Sequence, residues 1–120
     1  MIEFIRKRSN DIVPFDSNRI KQAIIKAHES LPVDEQEVQI ILDDVLVQLL
    51  DMHAPLAEDE HLTVEMIQDV VEKTLMKHGK FEIAKAYILY REEHQQLREQ
   101  EATEKRRKLE THDYMVTKHS

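Results

Sequence analysis

Two short apolar stretches separated by polar residues open the chain and predict a pair of β-strands. The first stretch covers residues 2–8 and the second covers residues 11–15, with Ser9 and Asn10 between them. Asparagine tolerates a positive φ better than other non-glycine residues, so a tight hairpin turn is expected here. Pro14 cannot donate to a strand ladder, which places the second strand at a sheet edge or near its own end.

Apolar residues next recur at spacings of three and four, which predicts helices with one buried face. The first helix begins at Asp16 or Ser17, both favourable N-caps, and Pro32 ends it. The second begins near Asp34, and a loop over residues 51–62 follows it. Their expected buried faces consist of Ile20, Ala23, Ile24, Ala27 and Leu31, and of Val38, Ile41, Leu42, Val45, Leu46 and Leu49.

Two further helices follow the same periodicity. Thr63 caps the third helix, and Gly79 ends it in the left-handed conformation typical of a helix C-terminus. The fourth begins near Lys80. Their expected buried residues are Val64, Ile67, Val70, Val71, Leu75 and Met76, and then Phe81, Ala84, Tyr87 and Ile88. The predicted fold class is α+β and mostly helical, with a small N-terminal hairpin followed by four helices.

Apolar content falls sharply after Leu97, which bounds the predicted domain. We expect one domain over residues 1–98 and a charged extension or linker over residues 99–120. Residues 101–110 can stay helical through charge pairs four positions apart, and residues 111–120 form a frayed tail.

Composition narrows the possible functions. The chain has 120 residues, enough for one domain. A single glycine excludes a Walker-type loop and a Rossmann fingerprint, which both need several. The lack of cysteine excludes a disulfide framework, a zinc ribbon and a thiol nucleophile. No stretch approaches the roughly 18 apolar residues that span a bilayer, and no signal peptide opens the chain, so we expect a cytoplasmic protein without a membrane partner.

The net charge of −7 is spread unevenly. Residues 1–28 carry +3, residues 29–62 carry −10 without any Lys or Arg, and residues 63–120 are neutral. An acidic protein is a poor general binder of nucleic acid, because neutralising phosphates needs a broad basic surface. The small basic cluster at the N-terminal end can still hold a few phosphates.

We find no catalytic constellation in the sequence. The seven histidines lack the helical spacing of metal ligands and are interpreted as surface residues. The carboxylate pairs Asp43-Asp44 and Glu92-Glu93 are interpreted as solvated charge on helix faces. No serine lies in a nucleophile elbow.

Lys7 and Arg8 stand out among the charged residues. They are predicted to end a strand close to the start of the first helix, where free N–H groups carry partial positive charge. Arg19 and Lys21 add to the same cluster. These residues either form an anion site suited to a polyphosphate or merely protect an edge strand, and the charge pattern alone does not decide between the two.

Two separate motifs resemble the ATP-cone domain found at the N-terminus of ribonucleotide reductase large subunits, the anaerobic class in particular. The first consists of Ile5-Arg6-Lys7-Arg8-Ser9-Asn10, Val13-Pro14-Phe15-Asp16 and Arg19-Ile20. The second consists of Ile67-Gln68-Asp69, Val71-Glu72, Leu75-Met76 and Ala84-Lys85-Ala86-Tyr87-Ile88-Leu89-Tyr90-Arg91. The resemblance covers roughly residues 3–98.

The resemblance implies a hairpin or three-stranded sheet that lies as a lid over a four-helix bundle. It implies an allosteric domain that binds ATP or dATP, with Mg²⁺, and performs no chemistry itself. The implied partners are adenine nucleotides, a ribonucleotide reductase subunit on which the domain acts in cis or in trans, and further copies of the chain in a nucleotide-dependent oligomer.

The resemblance also implies roles for individual residues. Lys7 and Arg8 match the pair that contacts phosphates, and the stretch from Val13 to Arg19 matches the one that wraps the nucleotide. Asp16 lies near the base, and Arg19 stands where the family usually has lysine. The remaining assignments are Lys21 in the charge cluster, Thr63 and Gln68 at the phosphates or ribose, and Arg91 on the last helix.

The sequence departs from the family pattern at three places. Ser9-Asn10 replaces the usual Asp-Gly turn, and Val13 stands where a polar residue often contacts the adenine. No catalytic barrel follows the domain, so we expect either a stand-alone cone or a piece of a longer chain.

Three other functions are compatible with parts of the pattern. A helical protein-interaction domain that has lost nucleotide binding shares the predicted fold. Transcriptional repressors of reductase genes also contain an ATP-cone, but they carry a four-cysteine zinc ribbon that a chain without cysteine lacks. A phosphoryl-transfer enzyme is disfavoured, because we find neither a P-loop nor a carboxylate cleft for Mg²⁺.

Overall fold

The computed structural model describes residues 2–94 and confirms a mostly helical α+β fold. Two strands, β1 (Phe4–Arg6) and β2 (Ile12–Pro14), precede three helices, α1 (Ser17–Ala27), α2 (Glu35–His53) and α3 (Val64–Lys77). A fourth helix, α4, covers residues 81–94. The chain divides into two compact units, Met1–Ile88 and Leu89–Ser120. The predicted boundary at residue 98 and the predicted charged tail lie outside the described residues.

The two strands form an antiparallel hairpin with the register Phe4↔Pro14, Ile5↔Val13 and Arg6↔Ile12. Residues directly opposite in such a pair point to the same face. Ile5 packs against the helical core, as does Phe15 just beyond β2, whereas Phe4 and Ile12 are exposed on the other face. One face of the hairpin therefore covers the helices, as the lid arrangement requires.

Helix α1 begins as predicted and ends earlier than predicted. Asp16 is its N-cap, with a side-chain oxygen that accepts from the N–H of Asn18. The helix stops at Ala27 and not at Pro32, because Glu29 adopts φ 53°, the left-handed conformation that ends a helix. Leu31, predicted in the buried face, is consequently exposed.

Helix α2 is the central helix, since it packs against both α1 and α3. Asp34 caps it by accepting from the N–H groups of Gln36 and Glu37 at 3.0 and 3.4 Å. The helix reaches His53, three residues into the stretch predicted as a loop. Its buried residues are Val38, Ile41, Leu42, Val45 and Leu49, while Leu46 is only half-buried.

The turn between α3 and α4 is a Schellman motif. Gly79 has φ 76° and donates its N–H to the Met76 carbonyl at 3.0 Å, and the N–H of Lys80 reaches Leu75 at 2.8 Å. This geometry confirms the predicted role of Gly79. Met76 and Phe81, predicted as buried, are exposed, because Leu75 on α3 and Ile83 on α4 occupy the inward positions instead.

Asp44 fastens the C-terminal end of α3 to α2. Its carboxylate accepts from Lys77 Nζ at 3.1 Å, from His78 Nε2 at 2.9 Å and from Gln48 Nε2 at 3.0 Å. The hydrogen bonds from His78 and Lys77 hold the pKa of Asp44 below its ordinary value. Asp43 beside it is exposed, as predicted, but Asp44 is a structural contact and not merely solvated charge.

None of the helices in residues 2–94 combines the length and the hydrophobicity that crossing a bilayer requires.

Candidate functional site

The loop between the two strands carries Lys7 and Arg8. The N–H of Asn10 donates to the Lys7 carbonyl at 2.9 Å, and Asn10 adopts φ 71°. Because β1 ends at Arg6, both basic residues lie in the loop, and their predicted position at a strand end is wrong. The loop covers residues 7–11, so it begins earlier than predicted, and Asn10 is its left-handed residue. Both basic side chains are exposed.

The N-terminus of α1 follows directly after β2. Its first turn contains no acidic residue, so no carboxylate within that turn offsets the partial positive charge of the unpaired N–H groups. Arg19 is exposed and Lys21 is half-buried, and both lie within the first two turns of the helix. This end of α1 is therefore electropositive, except at the capping carboxylate of Asp16.

The start of α3 lies against β1. Arg6 and Thr63 form an isolated parallel bridge, and the N–H of Arg6 donates to the Leu62 carbonyl at 2.9 Å. Thr63 also caps α3, because its hydroxyl oxygen accepts from the N–H of Met66 at 3.2 Å. Segment 62–63 thus extends the hairpin as a short third strand would, and it places the N-terminus of α3 beside the hairpin.

The basic loop and the N-termini of α1 and α3 consequently share the hairpin end of the first unit. Helix N-termini bind phosphate groups through free N–H groups and the helix dipole, and lysine and arginine add charge-assisted hydrogen bonds. The arrangement is suited to holding a polyphosphate. Glu65, in the first turn of α3, is the acidic residue that such a ligand would meet on that helix.

The remaining predicted residues differ in how the structure relates them to this end. Val13 lies opposite Ile5, so it is on the inner face of the hairpin, toward the helices. Gln68 is half-buried in the second turn of α3, and its side chain is not hydrogen-bonded to the hairpin in the described residues. Arg91 belongs to the second compact unit, and its part in the site stays a prediction.

Sequence reasoning missed two residues that matter for this architecture. The pairing of Arg6 with Thr63 produces no recognisable sequence pattern near either residue, because the two residues are far apart in the chain. His28 was interpreted as a surface histidine but is 6% exposed, and its ring Nδ1 lies 2.8 Å from the Ile24 carbonyl. Its position four residues after Ile24, on the apolar stripe of α1, is the feature that could have revealed its burial.

Among residues 2–94, no group of three or more His, Cys, Asp or Glu side chains is arranged to hold a metal ion. The chemistry available at the hairpin end is the recognition of an anion by N–H groups, hydroxyls and basic side chains. That chemistry, on a small α+β scaffold, suits a ligand that carries phosphates and is recognised without a glycine-rich loop.

A comparison with known protein families identifies the family to which the chain belongs. The ATP cone domain matches residues 3–96, so the chain belongs to the ATP-cone family. ATP-cone domains are regulatory and bind adenine nucleotides as allosteric ligands.

Proteins similar to this chain include ribonucleotide reductases of three kinds. A vitamin B12-dependent ribonucleoside-diphosphate reductase of Thermoplasma acidophilum is 39% identical over 83% of this chain and 13% of its own length. A ribonucleoside-diphosphate reductase subunit alpha of Chlamydia trachomatis is 35% identical over 74% of this chain and 9% of its own. An anaerobic ribonucleoside-triphosphate reductase of Salmonella typhimurium is 31% identical over 76% of this chain and 12% of its own. The chain thus spans about an eighth or less of these relatives.

Proposed function

We propose that this domain binds ATP or dATP at the hairpin end and thereby regulates a ribonucleotide reductase, in cis or in trans. The observation that carries the proposal is the Arg6–Thr63 bridge, which brings the basic loop beside the N-terminus of α3. The family match supports an adenine nucleotide as the ligand, and the reductase relatives support a ribonucleotide reductase as the regulated enzyme.

In this proposal Lys7 and Arg8 contact the phosphates from the hairpin loop, and the N-termini of α1 and α3 contact them from the helices. Arg19 and Lys21 add positive charge, and Thr63 and Gln68 reach the phosphates or the ribose. Val13 packs against the base from the inner face of the hairpin, which makes that contact apolar. Mg²⁺ accompanies the nucleotide, and a role for Arg91 in nucleotide binding stays a prediction.

In this proposal the side chain of Asp16 both caps α1 and contacts the base. One of its carboxylate oxygens, Oδ1, accepts from the N–H of Asn18, so Oδ2 has more acceptor capacity left for the amino group of an adenine. An acidic residue facing the base and basic residues facing the phosphates would fix the direction in which the nucleotide enters.

The domain itself is proposed to catalyse nothing, because its geometry serves binding. A cytoplasmic location and a nucleotide-dependent association of copies belong to the same proposal. Isothermal titration with ATP, dATP and GTP tests it. Micromolar or tighter binding of an adenine nucleotide, without release of phosphate, is expected. The absence of binding heat with both ATP and dATP would refute nucleotide binding, and phosphate release by the pure protein would refute a purely regulatory role.

A further inference from the structure

The first unit has a second concave site, at its end away from the hairpin. The proposed nucleotide binding does not involve this end. A cleft of about 440 Å³ opens where the end of α1, the start of α2 and the α3–α4 turn meet. Helix α1 has 11 residues and is therefore about 16 Å long, which separates this cleft from the hairpin. The residues that line the cleft include His28, Leu31, Asp34, Glu37, Phe81 and Glu82.

The buried ring of His28 offers a hydrogen-bond acceptor to this cleft. A carbonyl oxygen only accepts, so the 2.8 Å contact with Ile24 requires a hydrogen on Nδ1 and leaves Nε2 of the neutral ring as a bare lone pair. No protein partner faces Nε2 in residues 2–94. No polar side-chain atom in that range is both fully buried and unpaired, so Nε2 retains some access to solvent, and His28 is one of the residues that line the cleft.

The charges around the cleft are predominantly negative. Asp34, Glu37 and Glu82 line it, while Lys80 supplies a positive charge that is already in an ion pair with Glu37. The adjoining stretch 29–62 has ten acidic residues and no Lys or Arg. This electrostatic environment repels phosphates and attracts cations.

The walls of the cleft are partly apolar. Phe81 is 68% exposed and Leu31 is 43% exposed, and Pro32 and Ile83 also contribute to the lining. An exposed aromatic ring interacts favourably with a cation, and exposed apolar side chains contact aliphatic chains. A ligand that matches the apolar side chains, the negative charges and the hydrogen-bond acceptor of the cleft has an apolar stem and a cationic head that donates hydrogen bonds.

We propose that this cleft binds an organic cation, an alkylammonium or alkylguanidinium group, with its stem against Leu31 and Phe81 and its head donating to His28 Nε2 and the neighbouring carboxylates. The site is separate from the nucleotide site and does not depend on it. The group can belong to a free polyamine or to a lysine or arginine side chain of a partner protein.

Nuclear magnetic resonance titration of the full chain tests the proposal with three probes of similar shape. Butylguanidinium and butylammonium are cations, whereas butylurea is neutral. A charge-assisted hydrogen bond contributes roughly 1.5–3 kcal/mol, so the cations should bind at least about tenfold more tightly than butylurea. They should also shift the ¹⁵N resonance of His28 Nε2. Equal affinity for butylurea, or shifts that spare Nε2, would overturn the proposal.

Three exposed or half-exposed positions provide variants that leave the core untouched. Glu82→Gln should weaken binding of butylguanidinium about three- to tenfold, since it removes a carboxylate that lines the cleft. Glu58→Gln is the matched control, because it removes the same charge from the loop at the other end of α2 and should leave affinity within about twofold. Lys80→Met should strengthen binding, because it releases Glu37. Equal effects of the first two variants would refute a local site.

Two further titrations identify the source of the cation. One uses spermidine and the other uses an acetylated Gly-Arg-Gly amide, with Gly-Ala-Gly as its control. Tighter binding of spermidine assigns the site to a free polyamine, and tighter binding of the arginine peptide assigns it to a partner side chain; both support the cation site. Equal binding of the alanine peptide contradicts it.

Discussion

At the scale of single residues, several helix ends are held by a side chain or a backbone conformation within one turn of them. Asp16, Thr63 and Gly79 have the capping roles predicted for them, because a cap depends on residues within one helical turn, and Asp34 caps the helix that was predicted to begin near it. The burial of His28 was missed, although its position four residues after Ile24 on the apolar stripe of α1 indicates it.

The basic pair in the hairpin loop gives the most direct test of the nucleotide site. Lys7→Ala combined with Arg8→Ala should weaken adenine-nucleotide binding more than about a hundredfold, since each lost charge-assisted hydrogen bond is worth roughly 1.5–3 kcal/mol. Isothermal titration measures the loss, and circular dichroism should show unchanged helix content. The control Lys73→Ala with Lys85→Ala removes the same charge from exposed positions on α3 and α4. Normal binding by the loop variant would contradict the phosphate assignment.

Asp44 makes the stability of the bundle depend on pH. Its folded-state pKa is lowered, so the carboxylate stabilises the fold above its unfolded value of about 3.9, and this contribution disappears as the pH falls through the folded value. Asp44→Asn should therefore cost about 1 kcal/mol at pH 7, because the contact is partly solvent-exposed, and little at pH 2. Urea denaturation at the two pH values measures the difference. Asp43→Asn serves as the control, and an equal loss at both positions would contradict the role of Asp44.

At the scale of elements, helix starts were predicted more accurately than helix ends and strand lengths. The strands are three residues each, shorter than predicted, because the loop takes Lys7 and Arg8 out of the ladder. Helix α1 stops at a left-handed glutamate, a conformation that the composition of the segment does not favour. The pairing of Arg6 with Thr63, on which the candidate site depends, joins distant segments and could not be predicted from either one.

Gly79 and Glu29 both adopt the left-handed conformation at a helix end, and we expect substitutions at the two positions to change the stability of the fold in opposite directions. Gly79→Ala should destabilise the fold by about 1 kcal/mol through its backbone conformation alone, because an added Cβ has no heavy atom within 4 Å. Glu29→Gly should stabilise the fold by a smaller amount, since it removes the same conformational strain but adds freedom to the unfolded chain. Thermal denaturation of both variants measures the signs. A stabilising Gly79→Ala would contradict the Schellman geometry.

At the scale of the whole molecule, charge is polarised along the chain. The basic residues cluster in residues 1–28, while residues 29–62 carry a charge of −10. Two copies that meet through the acidic stretch repel each other at low salt, and this repulsion fades as salt shortens the screening length. A nucleotide at the basic end can change association only through its differential affinity for the associated and separate states.

Assembly is therefore expected to depend on both nucleotide and salt. A coupling of about 1–3 kcal/mol, which is typical for allosteric proteins, would change the association constant roughly 5- to 150-fold. Sedimentation velocity with ATP, with dATP and with neither, each at low and moderate salt, measures the effect. Identical profiles in all conditions, together with no effect on an added reductase subunit, would contradict the regulatory role.

The backbone bridge between Arg6 and Thr63 also determines when the nucleotide site can form during folding. It closes a loop of about 57 residues, and loop closure of this length costs roughly 3.5 kcal/mol in chain entropy. The single backbone hydrogen bond from Arg6 to Leu62 contributes only about 1 kcal/mol, so it cannot close the loop alone. Packing of α1, α2 and α3 must bring the segments together first. The proposed nucleotide site is therefore expected to form after α1, α2 and α3 have packed, and nucleotide binding would report that this packing is in place.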